Sequence, residues 1–259
     1  MSATVQRVAR RSWSGEEARL RVELAAAYRI FDHLGWTSLI YNHVTVRVPG
    51  PQRHFLINPY GLMYGEITAS SLVKIDLDGR LVEPGDGPFG SDVNPAGFTI
   101  HAAIHGARED VQCVVHTHTV AGCAVSAMAD GLLPLTLEAM MFHDRVAYHD
   151  FEGVTVVEDE GPRLVRDLGD KCAMILRNHG LLCLGRTVAE AVIMMWGLER
   201  ACQMQVAALT SGAKIHACSP EIASRVAAQA AFTDQGPRGD RAFNALVRVI
   251  EQKDPSFRD

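Results

Sequence analysis

Two histidines at alternate positions, His116 and His118, close the apolar run Gln112-Cys113-Val114-Val115. On an extended strand alternate side chains leave from one face, so both imidazoles can reach a single ion. A third, His179, stands in Arg177-Asn178-His179-Gly180, directly after a second apolar run, Ala173–Leu176. If the two strands are neighbours, their ends converge. Three neutral imidazoles suit Zn²⁺ first, and also Mn²⁺, Fe²⁺ or Co²⁺, and they leave a coordination position open for water or substrate. An isolated His-x-His is more often a hydrogen-bonded pair; the third histidine in a strand-end turn moves the reading to a metal centre with catalytic chemistry.

Other residues could serve beside it. His101 and His105 lie one helical turn apart after Gly97, so both can face one direction, and His101 is a candidate acid/base. Tyr148-His149-Asp150 brings together a phenol, an imidazole and a carboxylate, of which Tyr148 and His149 are candidate catalytic groups. Asn42, Gly61 and Asn94 are candidates for holding substrate, because backbone N–H groups around Gly61 or Asn94-Pro95-Ala96-Gly97 can bind a carboxylate. Asn42 could instead bond its own backbone. Asn58-Pro59-Tyr60-Gly61 is first a turn in which Gly61 takes positive φ, with Tyr60 able to add a hydroxyl.

The elements that must position these groups can be read along the chain. Ser14-Gly15-Glu16-Glu17 is a capping box that opens a helix carrying Leu20, Leu24, Ala27 and Phe31 as far as Gly35. Short β-rich runs follow at 43–48, 53–57 and 72–77, parted by turn residues. A helix over 96–107 leads into the strand 112–116, and a short helix covers 121–128. Residues 134–149 read as a loop or helix pair before a strand at 153–157. A helix over 162–169 precedes strands at 173–176 and 181–184. Thr187-Val188-Ala189-Glu190 opens the longest helix, running to Ser211-Gly212, and Ser219-Pro220 starts another. The result is an α/β chain with a mixed sheet: a loose arm at 1–13, one domain over 14–212, a helical extension over 213–259, and a frayed tail after Lys253.

Bulk properties narrow the function. The 259 residues are 47% hydrophobic and 21% charged, enough for one sizeable core. A net charge of −5 with no long Lys/Arg run argues against nucleic acid and for a small-molecule substrate. No apolar stretch approaches a membrane span and no signal core follows the basic N-terminus, so a cytoplasmic protein is expected. The six cysteines form no Cys-x-x-Cys pair and read as reduced, largely buried thiols.

The segments NHVTVRV, INPYGLMYGEITASSLVKIDLDG, NPAGFTIHAAIHGA, VVHTHTVAGCAVSAM, YHDFEG and MILRNHGLLCLGRTVAEA, in this order, resemble the class II aldolase/adducin family over roughly residues 15–210. The resemblance implies a three-layer α/β/α sandwich around a mixed sheet, a homotetramer with sites between subunits, and a metal, Zn first, on His116, His118 and His179. In family aldolases the cation stabilises an enediolate. The chain departs from them where they carry Pro-Ser-Ser-Glu four residues before a histidine: here Pro95-Ala96-Gly97 precedes His101. Glycine moves no proton, and the missing serines remove phosphate donors. The expected activity is therefore a metal-dependent carbon–carbon lyase, an atypical aldolase or decarboxylase, on an unphosphorylated acid. The alternatives are a non-haem Fe(II) oxygenase on the same triad and a non-catalytic, adducin-like scaffold.

Overall fold

The computed structural model describes residues 13–153, 160–230 and 239–259. Helix α1, Gly15–His33, starts where the Ser14 hydroxyl accepts the Glu17 N–H at 3.1 Å. It buries Leu20, Leu24, Ala27 and Phe31 along one stripe. Only half of the expected capping box forms, because the Glu17 carboxylate turns to Arg21 at 3.0 Å and Lys74 at 2.8 Å.

Among the described residues eight strands make one sheet: β1 His43–Arg47, β2 Phe55–Ile57, β3 Val73–Ile75, β4 Leu81–Glu83, β5 Cys113–Thr117, β6 Val146–His149, β7 Ala173–Leu176 and β8 Gly180–Gly185. Their spatial order is β4-β3-β2-β1-β5-β8-β7-β6, and β6–β7 is the parallel pair in an otherwise antiparallel sheet. The helices are α2 Pro95–Ala107, α3 Val120–Ser126, α4 Leu137–Met141, α5 Glu160–Leu168, α6 Val188–Thr210, α7 Pro220–Ala230 and α8 Asp240–Lys253.

Alternation along the strands divides the core in two. Val44, Val46, Val115, Ile175 and Leu181 pack with α1, α6 and α8 on one face. Val114, Met174, Leu176, Leu182 and Leu184 pack with Ile100 and Ile104 of α2 and Leu164 and Leu168 of α5 on the other. Helices on both faces of a mixed sheet are the three-layer α/β/α sandwich expected.

The structure corrects several element assignments. Val146–His149 is a strand rather than part of a loop or helix pair, held by parallel pairing to β7 that no local pattern encodes. The strand expected at 153–157 falls mostly outside the described residues, as does the loose arm expected at 1–13, of which Trp13 is described and is held, its indole N–H donating to Glu83 at 2.8 Å. The tail is docked, not frayed. Phe257 is fully buried, Arg29 binds Asp254 and Ser256, and the carbonyls of Phe257 and Asp259 accept the N–H groups of Ala69 and Ser70. Burying one such phenylalanine contributes about 2–3 kcal/mol, which a polar-looking segment conceals.

Candidate metal centre

The sheet register sets the site. In the β1–β5 pair His43 lies opposite His116, and in the β5–β8 pair His116 lies opposite Leu182. With period two, His43, Thr45, Val114 and His116 all leave the sheet towards α2. The β7–β8 turn brings the third imidazole. Asn178 takes φ +56°, a left-handed conformation that asparagine tolerates, and the His179 N–H closes on the Leu176 carbonyl at 3.1 Å. Gly180 follows because a Cβ there would stand 2.4 Å from the Thr117 carbonyl oxygen.

His116, His118 and His179 thus meet. One ring nitrogen from each lies within 4.8 Å of the other two, and the Nε2 atoms of His116 and His118 are 2.7 Å apart. His116 Nδ1–H donates to the Leu181 carbonyl at 2.9 Å, which leaves Nε2 as the lone pair pointing into the cluster. Such an outer hydrogen bond is what orients a ligating imidazole. Burial pushes the pKa of His116 well below the usual imidazole value and that of His118 below it, and lowers His179 to about 4. All three are therefore neutral near pH 7, the form that binds a cation. An all-imidazole donor set of this kind fits a Zn²⁺-type ion with an open position.

A cavity of about 500 Å³ opens on the cluster. Tyr41, His43, Tyr60, Asn94, Phe151 and Asn178 are among its walls, and no lysine or arginine lines it among the described residues. Of the groups expected to hold substrate, Asn94 faces the cavity, and so does Tyr60. Asn42 does not: it is 1% exposed and its amide donates to the Trp36 carbonyl at 3.4 Å. Gly61 has the positive φ its turn predicts, +127°, but the Phe89 ring covers it 2.8 Å from where a Cβ would sit.

The expected catalytic groups are placed differently. His101 is fully buried one layer behind the cavity wall. Tyr148 accepts the Leu132 N–H at 3.1 Å, lies under the Arg177 guanidinium and borders another cavity. His149 points to the other face from Tyr148, the one covered by α2 and α5, where its Nδ1 meets Asp167 at 2.8 Å. Both sit on β6, and neither is among the described residues that line the cavity on the triad.

Sequence reasoning missed the cavity residues Tyr41, Phe151 and His43, of which His43 carries the imidazole. Its signal was the alternation of polar His43 and Thr45 with apolar Val44 and Val46. Behind it runs a buried chain of hydrogen bonds: His43 Nδ1 to His101 Nε2 at 2.8 Å, His101 Nδ1 to Thr45 Oγ1 at 2.6 Å, and Thr45 Oγ1 to His105 Nε2 at 2.8 Å.

A mixed sheet covered on both faces, with three imidazoles converging at strand ends beside a cavity, is the architecture of the class II aldolase superfamily. The chain belongs to the class II aldolase and adducin N-terminal domain family, whose model matches residues 22–206. A crystal structure of an aldolase II superfamily protein from Pseudomonas syringae is 48% identical with a TM-score of 0.89, covering 95% of this chain and 98% of that one. L-fuculose 1-phosphate aldolase from Glaciozyma antarctica is 30% identical with a TM-score of 0.81, covering 97% of each chain. Mouse alpha-adducin is 44% identical over 91% of this chain, which spans 33% of the adducin.

Proposed function

We propose that the protein is a metal-dependent lyase that breaks or makes a carbon–carbon bond next to the carbonyl or carboxylate of a small, unphosphorylated acid. The observation that carries this reading is the convergence of His116, His118 and His179 on a cavity whose described walls hold no lysine or arginine. A divalent cation on the three imidazoles, Zn²⁺ first, supplies a Lewis acid that draws electron density from a carbonyl oxygen. Phosphate recognition is favoured by cationic side chains in a small space, and the described walls hold none. Asn94 and Tyr60, both on the cavity wall, support a reading in which their amide and hydroxyl hydrogen-bond a single carboxylate. Among the described residues that line the cavity no carboxylate stands in for the glutamate missing at Gly97, so loss of CO₂, which needs no base at a hydroxyl, suits the site better than aldol cleavage.

The test is metal analysis with activity assays on unphosphorylated oxo and hydroxy acids. His116→Ala and His179→Ala should lose metal and activity and keep the fold. Turnover of sugar phosphates but not of acids would refute the proposed substrate class. Full activity of the zinc form under argon excludes the oxygenase. The similarity to alpha-adducin favours a second reading, a scaffold in which the domain binds no substrate; protein without metal above background would establish it. We also propose a homotetramer, supported by the family and by apolar side chains left at the surface, such as Val120 at 90% exposure beside the triad and Leu137 at 60%. Light scattering checks the assembly.

A further inference from the structure

We propose that His43 presents a fixed Nε2–H donor to the substrate's carbonyl oxygen, making the site an electrophile without a base and directing it to β-keto acids that lose CO₂. This inference rests on the lyase reading above and names its substrate class.

Position comes first. A Cβ on Gly97 would lie 2.3 Å from His43 Cδ2 and 2.5 Å from His43 Nε2. The imidazole edge therefore occupies the room that any side chain at 97 would need, in the stretch where the resemblance places the acid/base glutamate of family aldolases. His43 lines the cavity, and among the described residues its Nε2 hydrogen-bonds to nothing in the chain. It lies outside the three-histidine group whose ligand atoms converge.

The hydrogen-bond chain then selects the tautomer. Thr45 has one hydroxyl proton to give, either to His101 Nδ1 or to His105 Nε2. If it goes to His105, then His105 carries its own proton on Nδ1, and that atom is buried with no partner among the described residues. If it goes to His101, then His105 Nε2–H donates to Thr45 and the orphaned Nδ1 is a bare lone pair. Buried N–H groups without an acceptor are rarer in proteins than acceptors short of a donor. The second arrangement fixes the rest. His101 Nε2–H donates to His43 Nδ1, so the one proton of neutral His43 sits on Nε2, facing the cavity.

The far end of the chain also resists a second proton. His105 is 1% exposed, packs against Phe55 and feels the Arg47 cation, whose guanidinium bonds the His105 carbonyl at 2.6 Å. With its proton on Nε2, His43 faces the cavity as a donor, and the atom turned to the substrate has no lone pair to act as a base.

In a β-keto acid the bond between the carboxylate carbon and the α-carbon breaks, and its electron pair passes through the new C=C bond to the carbonyl oxygen. CO₂ leaves, the enolate oxygen accepts the His43 Nε2–H hydrogen bond, and a solvent proton later adds at the α-carbon. No step removes a proton from the substrate. A neutral imidazole N–H aimed at a developing oxyanion suits this demand.

The test joins a spectrum with kinetics. Two-bond ¹H–¹⁵N correlation spectra of histidine-labelled, metal-free protein near pH 7.5, with His43→Gln used for assignment, should show His43 protonated on Nε2 and bare on Nδ1. Thr45→Val should release this preference. A His43 ring carrying its proton on Nδ1, or on both nitrogens, overturns the proposal, as does a zinc-loaded protein in which His43 Nε2 becomes a ligand. In zinc-loaded protein assayed with oxaloacetate, His43→Gln should lower kcat about 10²-fold, the usual loss of one oxyanion donor, with zinc content and KM nearly unchanged. Wild type that is inert on β-keto acids yet cleaves aldol substrates overturns the substrate class. Protein that binds no zinc overturns the lyase reading alone, since the tautomer is read without metal.

Discussion

Replacing Gly97 with alanine probes the closest approach in the site. The residue is in the first turn of α2 and is not among the positive-φ glycines, so its backbone accepts alanine, and removing a helical glycine favours folding by up to about 1 kcal/mol. The new methyl would stand 2.3 Å from His43 Cδ2, where carbon atoms prefer roughly 3.5–4.0 Å. The ring must move by more than 1 Å by that difference. It is held between His101 and His116, with ring centroids 4.7 and 5.0 Å away. Overpacking of this kind costs about 1–3 kcal/mol. Losing the His43–His101 hydrogen bond strands a buried partner for about 1–3 kcal/mol more. The net expectation is a destabilisation of about 2–4 kcal/mol, on the order of 10 °C in Tm for a chain of this size. Adding His43→Ala opens the space, so the double variant should recover part of the loss, with a coupling of about 1–3 kcal/mol in a urea-denaturation cycle. A neutral Gly97→Ala, or costs that simply add, would refute the steric argument.

Other expectations follow from single contacts. Gly180→Ala drives a Cβ against the Thr117 carbonyl, which cannot yield, so it should destabilise by about 2–4 kcal/mol and lower zinc content, measured by unfolding and metal analysis. Arg21 is fully buried and binds Glu17 and the Leu72 carbonyl; Arg21→Met leaves those partners unsatisfied and should cost about 3–5 kcal/mol, towards the lower end because Lys74 still pairs with Glu17. Burial lowers His105 to about 3, so the unfolded chain takes up its proton first as pH falls. The stability from neutral His105 is therefore complete above about pH 6.5, and about 2 kcal/mol of it is lost between pH 6.5 and 5. His105→Gln should flatten that part of the profile in urea titrations. Chelation should abolish lyase activity reversibly, with zinc restoring it.

Much of the site was legible in the order of residues. A His-x-His at the end of an apolar run commits two imidazoles to one face, because the strand period is two whatever surrounds it. The helix caps at Ser14 and Thr187 are equally local, since a hydroxyl three residues before an N–H needs only the chain itself. The likeness to class II aldolases and the vacancy for an acid/base at Gly97 were readable for the same reason. What the tertiary structure decided were contacts between elements distant in sequence. Tyr148 and His149 share a strand, yet they serve opposite faces of β6 and neither reaches the cavity. Phe257 turns a polar-looking tail into a docked one by entering the core beside α1. His43 became a cavity residue through the β1–β5 register that sets it across from His116, and through the packing of α2 that brings Gly97 onto its ring and His101 and His105 behind it. Periodicity is a property of the local backbone, whereas register and helix docking follow from burying both faces of a sheet at once. The three candidate ligands were therefore readable one strand at a time, and the imidazole that lines the cavity beside them was not.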